Sequence, residues 1–281
     1  MFRLFTRKTH RARTSSNKNQ TQAKQDRSPV CLSKKLEGNI QILRESLGQS
    51  SDVIIRDMKI NSNSNVDAAV VYIDGLVDRD LLNRDILQPL MFNLQLIRDN
   101  VSQNRSNLID FIKSSVLTVG QITETEDIDR VISEVLSGHI AILAEGVTRA
   151  LLIDAKGWKE RSIEEPKNEV SIRGPKDSLT ETLRTNTALL RRKIRDPRLT
   201  FESLQIGERS KTDVAVAYIK GITPDNLIEE INQRLKRIDT DAILDVGYIE
   251  QFIEDSPASL FPTVGISERL NNYGFPHSYD S

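Results

Sequence analysis

The sequence predicts an α/β protein of two subdomains, each a mixed sheet with packed helices, related by an internal β-β-α repeat. Three observations carry this. The length of 281 residues is long for one average domain and short for three. Shifted against itself by 146 positions, the chain lays Val66-Asp67-Ala68-Ala69-Val70-Val71-Tyr72-Ile73-Asp74-Gly75-Leu76 over Thr212-Asp213-Val214-Ala215-Val216-Ala217-Tyr218-Ile219-Lys220-Gly221-Ile222. At the same shift 53–60 faces 199–206, apolar on apolar, and both copies pass from β-branched runs to helical spacing.

Residues 1–35 read as a disordered basic arm. The first 28 residues hold eight Lys or Arg against one acid, Asp26, although the whole chain balances 39 basic against 40 acidic residues. With few apolar side chains, the arm cannot bury enough surface to offset its ordering entropy. Three readings stay open for it: a solvated arm, an arm drawn to anionic lipid, or an organelle transit peptide.

The first subdomain is expected over 36–155. A helix near 36–47 precedes the two strands of the first copy, and Gly75 stops the second strand. Leu81, Leu82, Asp85, Ile86 and Pro89 then recur at helical spacing. Further helices are expected near 105–115 and over 126–136, the latter introduced by a capping box from Thr123 to Glu126. His139–Ala144 and Ala150–Ile153 are expected to form a β-hairpin. A charged connector with Pro166 and Pro175 occupies 156–176.

The second subdomain is expected over 177–255. Its first helix opens with Ser178 and a capping box closed by Glu181, and Leu179, Leu183, Asn186, Thr187, Leu190 and Ile194 mark its inner stripe. Arg184, Arg191, Arg192 and Arg195 crowd the flanks. Strands follow up to Ile219, Gly221 ends them, and Pro224 stands where a first helical turn tolerates it. Leu227, Ile228, Ile231 and Leu235 continue at helical spacing. Residues 256–281, with Pro and Gly and no period, read as an extended tail.

Composition excludes several function classes. A net charge of -1 gives no global attraction to nucleic acid. No run of about 18 apolar residues is present to span a bilayer, so the chain is expected to be soluble. The single cysteine, Cys31, rules out an internal disulfide and a multi-cysteine metal site. Phosphate-loop, dinucleotide, zinc-protease and nucleophile-elbow motifs are absent, so no enzyme activity and no cofactor are expected. His10, His139 and His277 lie in a tail, a strand start and another tail. Glu124, Glu126, Asp127 and Asp129 lack the glycine and terminal glutamate of a calcium loop, and acids at a helix start complement its dipole. The candidate ligand site is the approach to the second subdomain. There Arg173 and Gly174-Pro175 lead into a helix N-terminus suited to an anion, with Glu181, Asn186 and Arg191 nearby in sequence. Ion pairing between the connector acids and these arginines is the competing reading.

Several motifs occur together and in order: Trp158–Pro166, Arg173–Glu181 and Thr185–Arg192, with Tyr72–Asp78, Ser137–His139, Ile206–Thr212 and Gly247–Gln251. Over about 36–263 the chain resembles the cytosolic N-terminal domain of the A subunit of bacterial spore germinant receptors, the GerA family. The resemblance implies a spore inner-membrane complex with a transporter-like B subunit and a lipoprotein C subunit, responding to small nutrients. It implies that a multi-helix membrane domain normally follows. Phe261-Pro262-Thr263 and Ser267-Glu268-Arg269 resemble the link to that domain, but Leu270-Asn271-Asn272 departs from the expected Pro-Asp. The resemblance brings no catalytic residues. It implies ligand sensing or signal relay, with a static assembly scaffold as the alternative.

Overall fold

The structure, a computed structural model, describes residues 30–60, 66–92, 109–110, 112–113, 121–157, 179–243, 245–254, 265 and 267. Most of the basic arm, most of the helix expected near 105–115, most of the connector and nearly all of the extended tail lie outside these residues. The chain divides into two compact units, one with the described residues up to 157 together with Arg195–Pro197, the other with the described residues 179–194 and those from Arg198 onward.

The first unit opens with α1 (Leu36–Leu47) and the antiparallel pair β1 (Val53–Ile60) and β2 (Val66–Ile73). A helical run over 79–92, α2, follows, capped by Asp78, whose carboxylate accepts from the N–H groups of Asp80 and Leu81. Its middle, Leu82–Leu87, has wide turns, and the Gln88 N–H reaches back to the Asn83 carbonyl. Pro89 has no N–H to give, so a regular ladder fails here in any case. Then come β3 (Ile122–Thr125), α3 (Ile128–Leu136), β4 (His139–Ala144) and β5 (Ala150–Asp154). The five strands order as β1-β2-β4-β5-β3, and all four pairings between neighbours are antiparallel.

Strand parity explains the core. Ala68 and Val70 of β2, Ile140, Ile142 and Ala144 of β4, and Leu151 and Ile153 of β5 join Leu82, Ile86 and Leu90 of α2 in one buried cluster. The alternate residues Ala69, Val71 and Ile73 of β2 and Ala141 of β4 are equally inaccessible. They belong to the opposite face, where α1 and α3 pack on β2 and β4. Covering on both faces is why β4 and β5 read as continuous apolar runs.

The Thr123 capping box is not formed. Thr123 pairs with Leu152 inside β3, and α3 starts at Ile128 with Asp127 as its cap, accepting from the Asp129 N–H at 2.9 Å. Long-range strand pairing overrides the local signal. The expected hairpin is present, with His139 opposite Asp154 and Ile142 opposite Leu151.

The second unit contains α4 (Leu183–Lys193), β6 (Leu199–Ile206), β7 (Thr212–Ile219), α5 (Asp225–Lys236) and α6 (Val246–Ile253). Ile206, Leu235, Ile243, Ile249 and Ile253 form a core on one face of the β6-β7 pair. Leu189, Leu190, Leu199 and Phe201 form another on the face toward α4. The α4 helix begins later than Ser178 and Glu181 suggest. Thr182 holds the cap position without a side-chain bond, and Ser178 lies outside the described residues.

The repeat is visible in the backbone. Val53 pairs with Ile73 and Ile60 with Val66, as Leu199 pairs with Ile219 and Ile206 with Thr212. Gly75 and Gly221 close the two copies with φ of 91° and 78°, a region open to glycine without strain. The repeat also extends one helix further upstream than the ungapped shift shows: α1 starts at Leu36 and α4 at Leu183, a spacing of 147. The unit of duplication is therefore α-β-β-α.

Candidate functional site

The sequence candidates converge on α4. Asn186 stands in its first turn and is only 3% exposed. Its Oδ1 accepts from the Thr180 N–H at 2.7 Å, and its Nδ2 donates to the Thr180 carbonyl at 2.7 Å. The Thr180 hydroxyl accepts from the Thr182 N–H at 3.3 Å. The side chains thus hold the strand of chain entering α4, replacing the expected capping box.

The first unit repeats this device. Asn39 Oδ1 accepts from the Ser33 N–H at 2.9 Å and Asn39 Nδ2 donates to the Ser33 carbonyl at 2.7 Å. Ser33 Oγ accepts from the Lys35 N–H at 3.3 Å. The shared pattern is Ser33-x-x-Leu36-x-x-Asn39 and Thr180-x-x-Leu183-x-x-Asn186. The first copy adds a cap from the turn after β4, the Glu145 carboxylate accepting from the Leu36 N–H at 2.7 Å.

Arg191, expected on the flank of α4, is fully buried, with its guanidinium 5.2 Å from the centre of the Phe201 ring. With Arg192 and Lys193 it places positive charge in the last turn of α4, which the helix dipole favours. Glu181 is exposed, ahead of the helix. Arg173 lies outside the described residues. The structure therefore brings Asn186 and Arg191 into the frame of one helix.

A polar network that the sequence reading passed over crosses the β6-β7 pair. The Tyr218 hydroxyl donates to Glu202 Oε1 at 2.5 Å, and Asn232 Nδ2 of α5 donates to Glu202 Oε2 at 2.7 Å. Burial, then the hydrogen bond to Glu202 and its charge, push the Tyr218 phenol well above its ordinary range. In the first unit Tyr72 is the counterpart of Tyr218 and Arg56 that of Glu202, so the same tyrosine meets the opposite charge. Burial first, and Asp74 second, raise the Tyr72 phenol, with Arg79 and Arg56 opposing. The signal was available as the coinciding tyrosine of the repeat.

The tip of the β6-β7 hairpin is clamped to the segment between α5 and α6. The N–H groups of Glu208 and Arg209 donate to the carbonyls of Thr240 and Asp241 at 2.9 and 2.8 Å, and Thr212 Oγ1 donates to the Ile243 carbonyl at 3.0 Å. Lys211 takes a φ of 44°, unusual for a residue with a side chain. The acidic group of the first unit is likewise occupied: Glu124 pairs with Lys113 at 2.8 Å and with Arg149 at 2.7 Å. His139 sits 3.1 Å from Glu134. Among the described residues no group of three or more His, Cys, Asp or Glu side chains is arranged to hold a metal ion.

Fold and side-chain clusters together define a duplicated α/β domain whose conspicuous polar groups brace its own backbone. The chain belongs to the Bacillus/Clostridium GerA spore germination protein family, whose model matches residues 41–273. It is 39% identical to spore germination protein KA of Bacillus subtilis over 86% of this chain and 43% of that protein. It is 35% identical to spore germination protein B1 of the same organism over 83% of this chain and 47% of that protein. The chain thus spans a little under half the length of these relatives. The crystal structure of the N-terminal domain of the A subunit of the Bacillus megaterium spore germinant receptor GerK3 matches with a TM-score of 0.65 and 34% identity. The match covers 88% of this chain and 89% of that one.

Proposed function

We propose that this chain works as the N-terminal domain of a germinant receptor A subunit, passing a nutrient signal to a membrane-embedded receptor complex. The observation that carries the reading is the match to the GerK3 domain, which runs over nearly the full length of both chains. No helix of the described residues is long and apolar enough to cross a membrane. In this reading the domain lies on the cytoplasmic side of the spore inner membrane. Its partners are a transporter-like B subunit and a lipoprotein C subunit, with the basic arm near anionic lipid. Relay needs only a few kcal/mol of differential affinity between two arrangements. Arg173 and Glu181 are the candidate contacts for a small nutrient, while Asn186 and Arg191 hold α4 in place.

One observation favours the second reading, a static scaffold: the Asn186 amide already spends both polar atoms on Thr180. Thermal unfolding across amino acids, sugars, nucleosides and simple anions separates the two. A ligand that binds only the folded state stabilises it by about 2.7 kcal/mol at a hundredfold excess over Kd. A saturable rise in Tm that Arg173→Ala removes supports sensing. No rise with any compound supports the scaffold and places the nutrient on another subunit.

A further inference from the structure

The two copies of the repeat keep one tyrosine and reverse the charges around it. At the shift of 146, Tyr72 corresponds to Tyr218, Arg56 to Glu202, Asp74 to Lys220 and Arg79 to Asp225. Tyr72 is thus accompanied by two cations and one anion, Tyr218 by two anions and one cation. The register is the same in both: Ile54 stands opposite Tyr72 and Arg56 opposite Val70, as Thr200 stands opposite Tyr218 and Glu202 opposite Val216. Val70 and Tyr72 belong to the cluster built with α2. Arg56, across from Val70, therefore leaves the same face of the sheet as a diagonal neighbour of Tyr72.

In the second unit the tyrosine meets a carboxylate of its own chain. The Tyr218 hydroxyl and the Asn232 amide each donate to one oxygen of Glu202. In the first unit Ile86 takes the place of Asn232, and a guanidinium takes the place of the carboxylate. A phenol O–H and a guanidinium both donate, and a carboxylate accepts from both with charge assistance. Arg56 is exposed and Tyr72 half-buried, and neither makes a hydrogen bond or ion pair among the described residues. Arg56 and Arg79 both lower the Tyr72 phenol against burial and Asp74, so their positive fields reach the hydroxyl. Asp74, the acid beside it, has its charge met by Arg79 at 3.1 Å. The Tyr72 ring packs on the core cluster, as does Met58, two residues beyond Arg56 on the same face of β1.

We propose that Tyr72 and Arg56 bind the carboxylate of a small molecule, in the place that the Glu202 carboxylate takes against Tyr218 in the second unit. The phenol donates to one carboxylate oxygen, and the guanidinium pairs with the group as a planar fork. The longer arginine holds from outside the group that glutamate carries on its own chain. Arg79, already neutralising Asp74, keeps the acid from repelling the ligand, and Met58 gives the site one apolar side. The site lies in the first unit, away from α4, and the inference stands apart from the receptor reading.

The test is nuclear magnetic resonance of the full chain carrying isotope-labelled tyrosine, with the Tyr72 ring signal assigned from Tyr72→Phe. Sodium acetate is titrated at neutral pH against sodium chloride of equal ionic strength. The Tyr72 signal should move saturably with acetate in the millimolar range while that of Tyr218 stays, and Arg56→Gln should weaken the affinity by about tenfold or more. Arg56 is exposed on the outermost strand of its sheet, so its variants leave the core intact. Arg56→Glu supplies the carboxylate from the chain itself: it should raise the Tyr72 phenol and abolish the response to acetate. No movement specific to acetate, or the same affinity in Arg56→Gln, would overturn the proposal. An equal response to methylammonium chloride, which has no carboxylate, would overturn it as well, and tighter binding of inorganic phosphate than of acetate would overturn the choice of carboxylate.

Discussion

Asn39 and Asn186 make the same pair of hydrogen bonds, each from its amide to the N–H and C=O of the residue six positions upstream. The relationship fixes the entry of a helix in both units. It also shows that the ancestral element included the helix, and that one residue was gained or lost between helix and first strand.

Removing this clamp should cost both units alike. Asn186→Ala takes away two buried hydrogen bonds and should destabilise the second unit by about 2 kcal/mol, and Asn39→Ala the first by a similar amount. Asn186→Asp keeps the acceptor for the Thr180 N–H, loses the donor, and should fall between. Urea unfolding of the three variants checks the order.

Gly157 has no room for a side chain. A Cβ there would lie 2.2 Å from the Asp78 nitrogen, where the chain leaves the first unit beside the Val77 to Lys156 bridge. Gly157→Ala should therefore lower the stability of the first unit by about 1–3 kcal/mol, as overpacking does. Tm of the variant measures it.

Asp74 should make stability depend on acid pH. Its side chain is 15% exposed, and burial raises its carboxyl while Arg79, 3.1 Å away, opposes. The unfolded chain ionises at the lower, ordinary value of about 3.9, so this contribution to stability is complete below that pH. It is lost as pH rises through the folded pKa. The Tm of the wild type minus that of Asp74→Asn should fall between about pH 3 and pH 6. A difference that grows over this window would show that Arg79, and not burial, governs Asp74.

Tyr218 and Tyr72 should both titrate above the ordinary tyrosine range. Ultraviolet difference titration reads this directly, and Tyr218→Phe should remove one late step. Because the folded pKa is raised, the stabilisation is full below about pH 10, the unfolded value, and lost as pH rises further. At neutral pH the variant should lose about 1–2 kcal/mol, the Glu202 carboxylate losing one donor and keeping Asn232.

Local pattern made much of this fold legible. The β-branched runs ending in Gly75 and Gly221 gave both strand pairs, and the apolar runs around Glu145–Thr148 gave the β4-β5 hairpin. What local pattern could not show depended on distant partners. Thr123 and Glu126 have capping-box spacing, yet Thr123 belongs to a strand because β5 is there to pair with it. The upstream helix of the repeat was hidden by its one-residue slip. The same slip concealed why Asn186 is where it is: a ligand contact and a backbone clamp look alike until Asn39 is set beside it. Arg191 was misjudged as a flank residue because charge argues for solvent, and the Phe201 ring that accepts it comes from the next strand.

The most direct test of the receptor reading replaces the N-terminal domain of the GerK3 A subunit with the matching part of this chain and follows the loss of optical density of spores after nutrient addition. The account predicts that the chimaera germinates in response to nutrient, and that Gly157→Ala and Asn186→Ala weaken the response in step with their loss of stability. A chimaera that is present at normal level in the spore and gives no nutrient response would contradict it.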